Sequence, residues 1–279
     1  MIDKISNDLI ENGYTKINNV VSPKTISKAK KIMNEFLIFY LKKINKKSKK
    51  KLTENFLECV KFTNQHELQV LLAKNLIDNG IYLEILNQKK IKNILINLLG
   101  PDLEYVVNSE LAINSKLEKN EYFVKKYHQE FWSGSGIASL LLWVPINLKS
   151  GMGTMELIKQ SHTWGHIPHT NREPIELPKN HETEVVKVKE GSLVIFTPLT
   201  LHRTIHNKMR EIRVAAPITV RNFYYPKIGN EDLWEFKKMN LSFFSNFRKI
   251  LGNPQFSPFR TFNQKRKSIF SKEKIQNKK

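Results

Sequence analysis

The sequence predicts an α+β protein in which a jelly roll or sandwich of strands carries helices packed outside it. Three observations predict this. Residues 1 to about 100 repeat apolar side chains at helical spacing, whereas from Leu103 onward the runs shorten and become rich in β-branched and aromatic residues. Glycine-bearing turns at Gly134-Ser135-Gly136, Gly151-Met152-Gly153 and Glu190-Gly191 punctuate that second half. No internal repeat at solenoid or propeller periods is present, so helices followed by strands read as one layered domain.

The elements follow in order. Ser22 is an N-cap before Pro23, the residue type preferred at the first helical position, and Ile26, Ala29, Ile32, Met33, Phe36 and Leu37 recur on one face. A helix is therefore expected from about 23 to 45. A second helical stretch covers roughly Glu67 to Leu86, and a third runs from about Gln88 to Leu99, where Gly100-Pro101 stops it. The strand candidates are Tyr105 to Val107, Ser139 to Ile146, Glu184 to Val188, Ser192 to Phe196 and Ile212 to Val220. After Pro226 the chain turns aromatic and helical in pattern between Leu233 and Phe247. The expected organisation is a single domain over 1–262, with a helical lead-in (1–100), a strand core (about 101–225) and a C-terminal helical segment (about 226–262). A basic disordered tail is expected over 263–279.

Composition narrows the class. The 279 residues are 40% hydrophobic, enough to bury a sizeable core. Cys59 is the single cysteine, which excludes a disulfide framework or a multi-cysteine metal site and makes a reducing, cytoplasmic setting the expectation. The N-terminus lacks an apolar h-region, and no segment approaches about 18 uncharged apolar residues, so neither secretion nor membrane spanning is expected. The net charge of +20 is concentrated: Lys42 to Lys51 contributes +7 and Gln264 to Lys279 contributes +6. Neither run interleaves aromatics for base stacking, so a solvated loop and a tail explain them better than a nucleic-acid footprint.

The chemistry gathers on a few side chains. Residues i and i+2 of a strand share a face, so His128 and Glu130 in YHQEFW would offer an imidazole and a carboxylate to one ion. If a distant strand brings His202 alongside, two histidines and one carboxylate bind a metal and leave open positions, an arrangement suited to ferrous iron in oxygen chemistry. Arg213 follows His202 by eleven residues inside an apolar strand candidate, where a charge needs a partner. Its planar fork fits the far end of a dicarboxylate that chelates the metal through a 2-oxo acid group, and Thr204 could add a hydroxyl donor. The bland reading is that Arg213 alternates outward to solvent, which would make Arg210 and Arg221 its equivalents.

These residues carry a resemblance. Tyr127-His128-Gln129-Glu130, His202 after 74 positions and Arg213 eleven later are similar to the pattern of the phytanoyl-CoA dioxygenase family, W-H-Q-D, a long gap, His and then Arg. The stretches Asn12 to Ile26 and Leu141 to His162 also resemble the family's opening and middle motifs, so the likeness spans about 12 to 221. Glu130 stands where the family usually has Asp, and Lys159-Gln160 replaces its Pro-Gly before Ser-His. The resemblance implies a double-stranded β-helix (jelly-roll, cupin-like) core and an iron(II)/2-oxoglutarate-dependent oxygenase that hydroxylates a small molecule with O2. It implies His128, Glu130 and His202 as iron ligands, Arg213 and Thr204 on the distal carboxylate of 2-oxoglutarate, and Gln129 lining the cosubstrate or substrate side.

Trp132, His166 and Arg172 are the expected substrate-binding residues, Arg172 meeting an anionic group. His162, His166 and His169 invite a zinc reading, but Gly165 and Pro168 break any helix there and the Glu of H-E-x-x-H is missing. Cys59 reads as structural. The alternative function is a jelly-roll ligand-binding or structural protein with a degenerate metal site.

Overall fold

Local sequence starts and stops the helices where physical chemistry requires. The computed structural model describes residues 2–116, 123–227, 231 and 233–243. Helix α1 (Ile2–Asn12) leads into strand β1 (Tyr14–Ile17). In α2 (Pro23–Lys43) the Ser22 hydroxyl accepts the Thr25 N–H at 3.1 Å, and Asn64 does the same for α4 (Gln65–Asp78) from His66 at 2.8 Å. Between them lies α3 (Leu52–Cys59), and the lysine run after α2 is an exposed loop. The stretch expected as one helix from Glu67 to Leu86 is two. Gly80 adopts φ 74°, a left-handed conformation that an α-helix cannot hold, and separates α4 from α5 (Ile81–Leu86). Helix α6 (Lys89–Leu99) ends at Gly100 as expected.

The strands are β2 (Leu103–Val106), β3 (Ala112–Asn114), β4 (Ser139–Asn147), β5 (Met155–Ile158), β6 (His169–Thr170), β7 (Glu173–Pro174), β8 (Thr183–Val185), β9 (Leu193–Phe196), β10 (His202–Thr204), β11 (Arg213–Asn222) and β12 (Phe236–Asn240). The larger sheet runs β1-β9-β4-β11-β2-β12, with β3 also on β11, and the smaller runs β10-β5-β8. The helix expected between Leu233 and Phe247 is corrected at Phe236–Asn240, which pairs into the sheet beside β2. Residues up to Met239 form one compact unit, and the expectations for 244–262 and the tail over 263–279 lie outside the described residues.

Period-two alternation divides the core. Leu140, Leu142, Val144 and Ile146 of β4, with Leu193 and Ile195 of β9 and Val214, Ala216 and Ile218 of β11, pack against the helices. The alternate residues Leu141, Trp143, Val194, Phe196 and Ala215 turn the other way and meet Met155 and Leu157 of the smaller sheet. A central sheet buried on both faces explains the nearly continuous apolar run of β4. Cys59 is fully buried on the helical side, where desolvation pushes its thiol up to about 11. No helix among the described residues is long and apolar enough to cross a membrane.

Candidate metal centre

His128 and His202 are brought together by main-chain pairing. The His128 N–H donates to the His202 carbonyl at 3.0 Å and the His202 N–H returns the bond at 3.1 Å. Directly paired residues project to one face, and the two imidazoles lie with centroids 4.2 Å apart. After Gln129 the chain leaves the extended conformation and turns through a short 3-10 helix at Glu130–Ser133. The expected strand alternation therefore ends at Glu130. The turn still brings the Glu130 carboxylate to 3.4 Å from His128 Nε2 and 3.6 Å from His202 Nε2.

The hydrogen bonds on the far side of each ring fix which nitrogen faces the cluster. His128 Nδ1 lies 2.8 Å from the Lys126 carbonyl and His202 Nδ1 lies 3.0 Å from the Thr200 carbonyl. A carbonyl only accepts, so both Nδ1 atoms carry hydrogen and both Nε2 lone pairs point inward. Burial pushes His128 toward its neutral form, and neighbouring His202 adds to this. Two imidazoles and one carboxylate, with candidate donor atoms all within 4.8 Å of one another, fit a divalent cation such as iron(II). His128 Nε2 is buried without a hydrogen-bond partner among the described residues, as a metal-facing atom should be.

Arg213 begins β11 on the face shared with Ala215, opposite the helix-facing Val214. It is 3% exposed, its Nη1 donates to the Thr154 carbonyl at 2.9 Å, and its guanidinium sits 5.8 Å from the centre of the Trp143 ring. Among the described residues no carboxylate pairs with it, and burial pushes it down to about 10. An irregularity in the β11–β4 register at Val214/Ala215 lies beside it, the kind of feature that re-aims a side chain at a site. The other two arginines are not equivalent: Arg210 is exposed, and Arg221 is satisfied by Glu104 at 3.1 Å and Glu231 at 2.6 Å. One cavity is lined by the three cluster residues together with Arg213, Thr204 and Trp143.

Other expected residues are placed differently. Gln129 is corrected. Its Nε2 donates to the Gly165 and Leu199 carbonyls at 2.8 and 2.7 Å, and its Oε1 accepts the Ile167 N–H at 3.2 Å, so the amide anchors a loop and does not line the cavity. Trp132 stacks on His169 at 4.4 Å, and His166 is exposed beside Phe131; neither lines the metal-bearing cavity. Arg172 lines a second cavity with Lys125, Lys126, Ser133 and the ligand candidate His128. The histidines at 162, 166 and 169 do not converge, since His162 Nε2 engages the Ile10 carbonyl and the rings of His166 and His169 are 6.1 Å apart. Two groups escaped the sequence reading: Gln69 in the cavity wall, and the row Tyr127, Arg203 and Glu156 behind the histidines. The parity of residues neighbouring His128 and His202 is the signal that could have found the row.

The fold and cluster are those of a jelly-roll protein with a candidate non-haem metal centre. The sequence profile of the phytanoyl-CoA dioxygenase (PhyH) family matches residues 9–215, and the chain belongs to that family. Iron(II), 2-oxoglutarate and O2, the cofactors implied by the sequence resemblance, are thereby those of its own family, and the donor set meets them. Among solved structures, the apo form of the non-heme monooxygenase ThoJ is 15% identical, with 85% of this chain and 84% of that one covered at a TM-score of 0.57. EctD from S. alaskensis with bound Fe is 13% identical, covering 78% and 76% at 0.54. The epimerase SnoN, in complex with Fe3+, alpha ketoglutarate and nogalamycin RO, is 12% identical, covering 79% and 83% at 0.52. These likenesses concern the fold. Among curated proteins no sequence matches.

Proposed function

We propose that this chain is an iron(II)/2-oxoglutarate-dependent dioxygenase that hydroxylates a small molecule. The observation that carries the reading is a buried arginine that pairs with no carboxylate among the described residues, in the same cavity as a His-Glu-His cluster. A buried cation is costly alone and is relieved by a carboxylate ligand. His128, Glu130 and His202 would hold iron on one side, leaving the opposite side for ligands. Arg213 and Thr204 would bind the distal carboxylate of 2-oxoglutarate, which directs its 2-oxo acid end toward the metal. The bound iron supplies oxidative decarboxylation coupled to hydroxylation: 2-oxoglutarate, O2 and R–H become succinate, CO2 and R–OH.

The chain's own part is to exclude water and aim the target carbon. Phe196, Leu141 and Met155 give the cavity apolar walls. Arg172 sits at the tip of the β6–β7 hairpin with φ 62°, where glycine would be the unstrained choice, and with Lys125 and Lys126 it surrounds the second cavity beside His128. Lys125 pairs with Glu110 and Lys126 with Glu173, so Arg172 is the cation that would meet a negative group on a substrate there. Trp132 and His166 then shape the loop behind this opening.

Iron-loaded protein incubated with 2-oxoglutarate and O2 should form succinate slowly even without substrate, and His202→Ala should bind no iron and form none. Succinate formation by wild type that is indifferent to iron removal would refute the reading and leave a ligand-binding scaffold.

A further inference from the structure

Three buried side-chain nitrogens in the wall of the metal-bearing cavity have no hydrogen-bond partner among the described residues: His128 Nε2, Arg213 Nε and Gln69 Nε2. The proposed function employs the first as a metal ligand and the second on a carboxylate. It leaves the third without a role. Gln69 lies on α4, is 1% exposed, and reaches the cavity from the helical half of the molecule.

Its orientation is fixed by the strand it meets. Gln69 Oε1 accepts the Ile113 N–H at 3.0 Å, and its own carbonyl faces the Leu111 N–H at 3.4 Å. An amide oxygen that accepts this bond leaves the NH2 on the other side, with two donors to satisfy. A buried donor without an acceptor has lost its water and gained nothing in return, so an incoming oxygen would be bound favourably there. Ile113 and Asn114 of β3 pair with Val214 and Arg213 of β11, so the N–H that anchors the Gln69 amide and the residue that carries the guanidinium lie on adjoining strands, and both side chains line one cavity.

We propose that Gln69 is a ligand-binding residue, donating its amide N–H to a carboxylate oxygen of 2-oxoglutarate alongside Arg213. This rests on the 2-oxoglutarate reading of the site. A dianion taken out of water needs donors for most of its oxygen lone pairs, and Arg213 already gives one N–H to Thr154.

The test is calorimetric titration of 2-oxoglutarate into the full chain loaded with Ni(II), which binds without turnover, for wild type, Gln69→Leu and Gln69→Glu. Glutamate keeps an oxygen for the Ile113 N–H but replaces the donors with an acceptor. Gln69→Leu should bind 2-oxoglutarate about tenfold more weakly and Gln69→Glu more weakly still, with Ni(II) affinity unchanged in both. If Gln69→Glu binds 2-oxoglutarate as wild type does, the amide merely holds β3 and the inference is overturned. If Ni(II)-loaded wild type takes up no 2-oxoglutarate, the reading of the site falls first and this inference with it.

Discussion

Arg213 and Glu130 are the two side chains on which the proposed chemistry turns, and each yields a distinct expectation. Removing the guanidinium should cost a bound dicarboxylate a charge-assisted contact without touching the metal ligands. Arg213→Ala should therefore weaken 2-oxoglutarate binding at least tenfold while metal content stays at the wild-type level, and Arg210→Ala should change neither. Equal effects from the exposed Arg210 would show that bulk charge matters and the buried fork does not. For Glu130, the longer side chain spans from a 3-10 turn to within 3.6 Å of both imidazoles. Glu130→Asp withdraws the carboxylate by about 1.5 Å. Metal affinity, followed by Co(II) absorption, should fall; a tighter or faster variant would mean the turn accommodates either acid. Arg213 stood out in the sequence by its apolar strand setting and its spacing of eleven from His202, and its burial in the structure decides against the reading that it alternates outward. Gln69 did not stand out, since a lone glutamine on a helix looks like any solvated position until the strand it caps is known.

At the level of the strands, the histidines have a second row behind them. His128 pairs with His202, so the neighbouring Tyr127 and Arg203 fall side by side on the opposite face, and Arg203 pairs in turn with Glu156 of β5. Tyr127 hydrogen-bonds to Glu156, Arg203 reaches the same carboxylate at 2.9 Å, and the guanidinium stands 4.9 Å over the Tyr127 ring. Burial pushes the Glu156 carboxyl up, but hydrogen bonding by Arg203 and Tyr127 outweighs this and holds it below its ordinary range. A lowered folded value means the stabilisation is complete above the unfolded carboxyl value and is lost as pH falls through the folded one. Glu156→Gln should cost about 1–3 kcal/mol at neutral pH, and the melting-temperature gap to wild type should close on acidification below the ordinary carboxylate range. A gap constant from neutral to acid pH would contradict this. Such rows are hard to read in advance, because the partners of Gln129, at Gly165 and Leu199, and of Glu156 lie tens of residues away and only strand register reveals them.

For the molecule as a whole, most of the helical core packs on one face of the central sheet and the apolar cavity walls lie on the other, with Gln69 of α4 the helical residue that reaches the cavity. Leu37 of α2 is fully buried on the helical face. Leu37→Ala should lower stability by about 2–5 kcal/mol, seen as an earlier urea midpoint, while Ni(II) affinity of the folded protein stays put. Loss of metal binding in the folded variant would show that the two faces are coupled. The change from helical to strand-like sequence near Leu103 was readable because it is a change of period, and the matched residues 9–215 cross it. Phe236–Asn240 was misread because five residues are too few to distinguish a strand period from a helical one, and pairing with β2 decided it.

The reciprocal main-chain bonds between His128 and His202 also bear on how the ion comes and goes. They run main chain to main chain and use none of the side-chain nitrogens that face the cluster, so they close a ring of chain spanning 74 positions and let folding itself meet the entropy of uniting the distant histidines. On this geometry a chelator should strip the ion without unfolding the chain, the metal serving as a replaceable fitting in a finished frame and not as the rivet that holds the frame together.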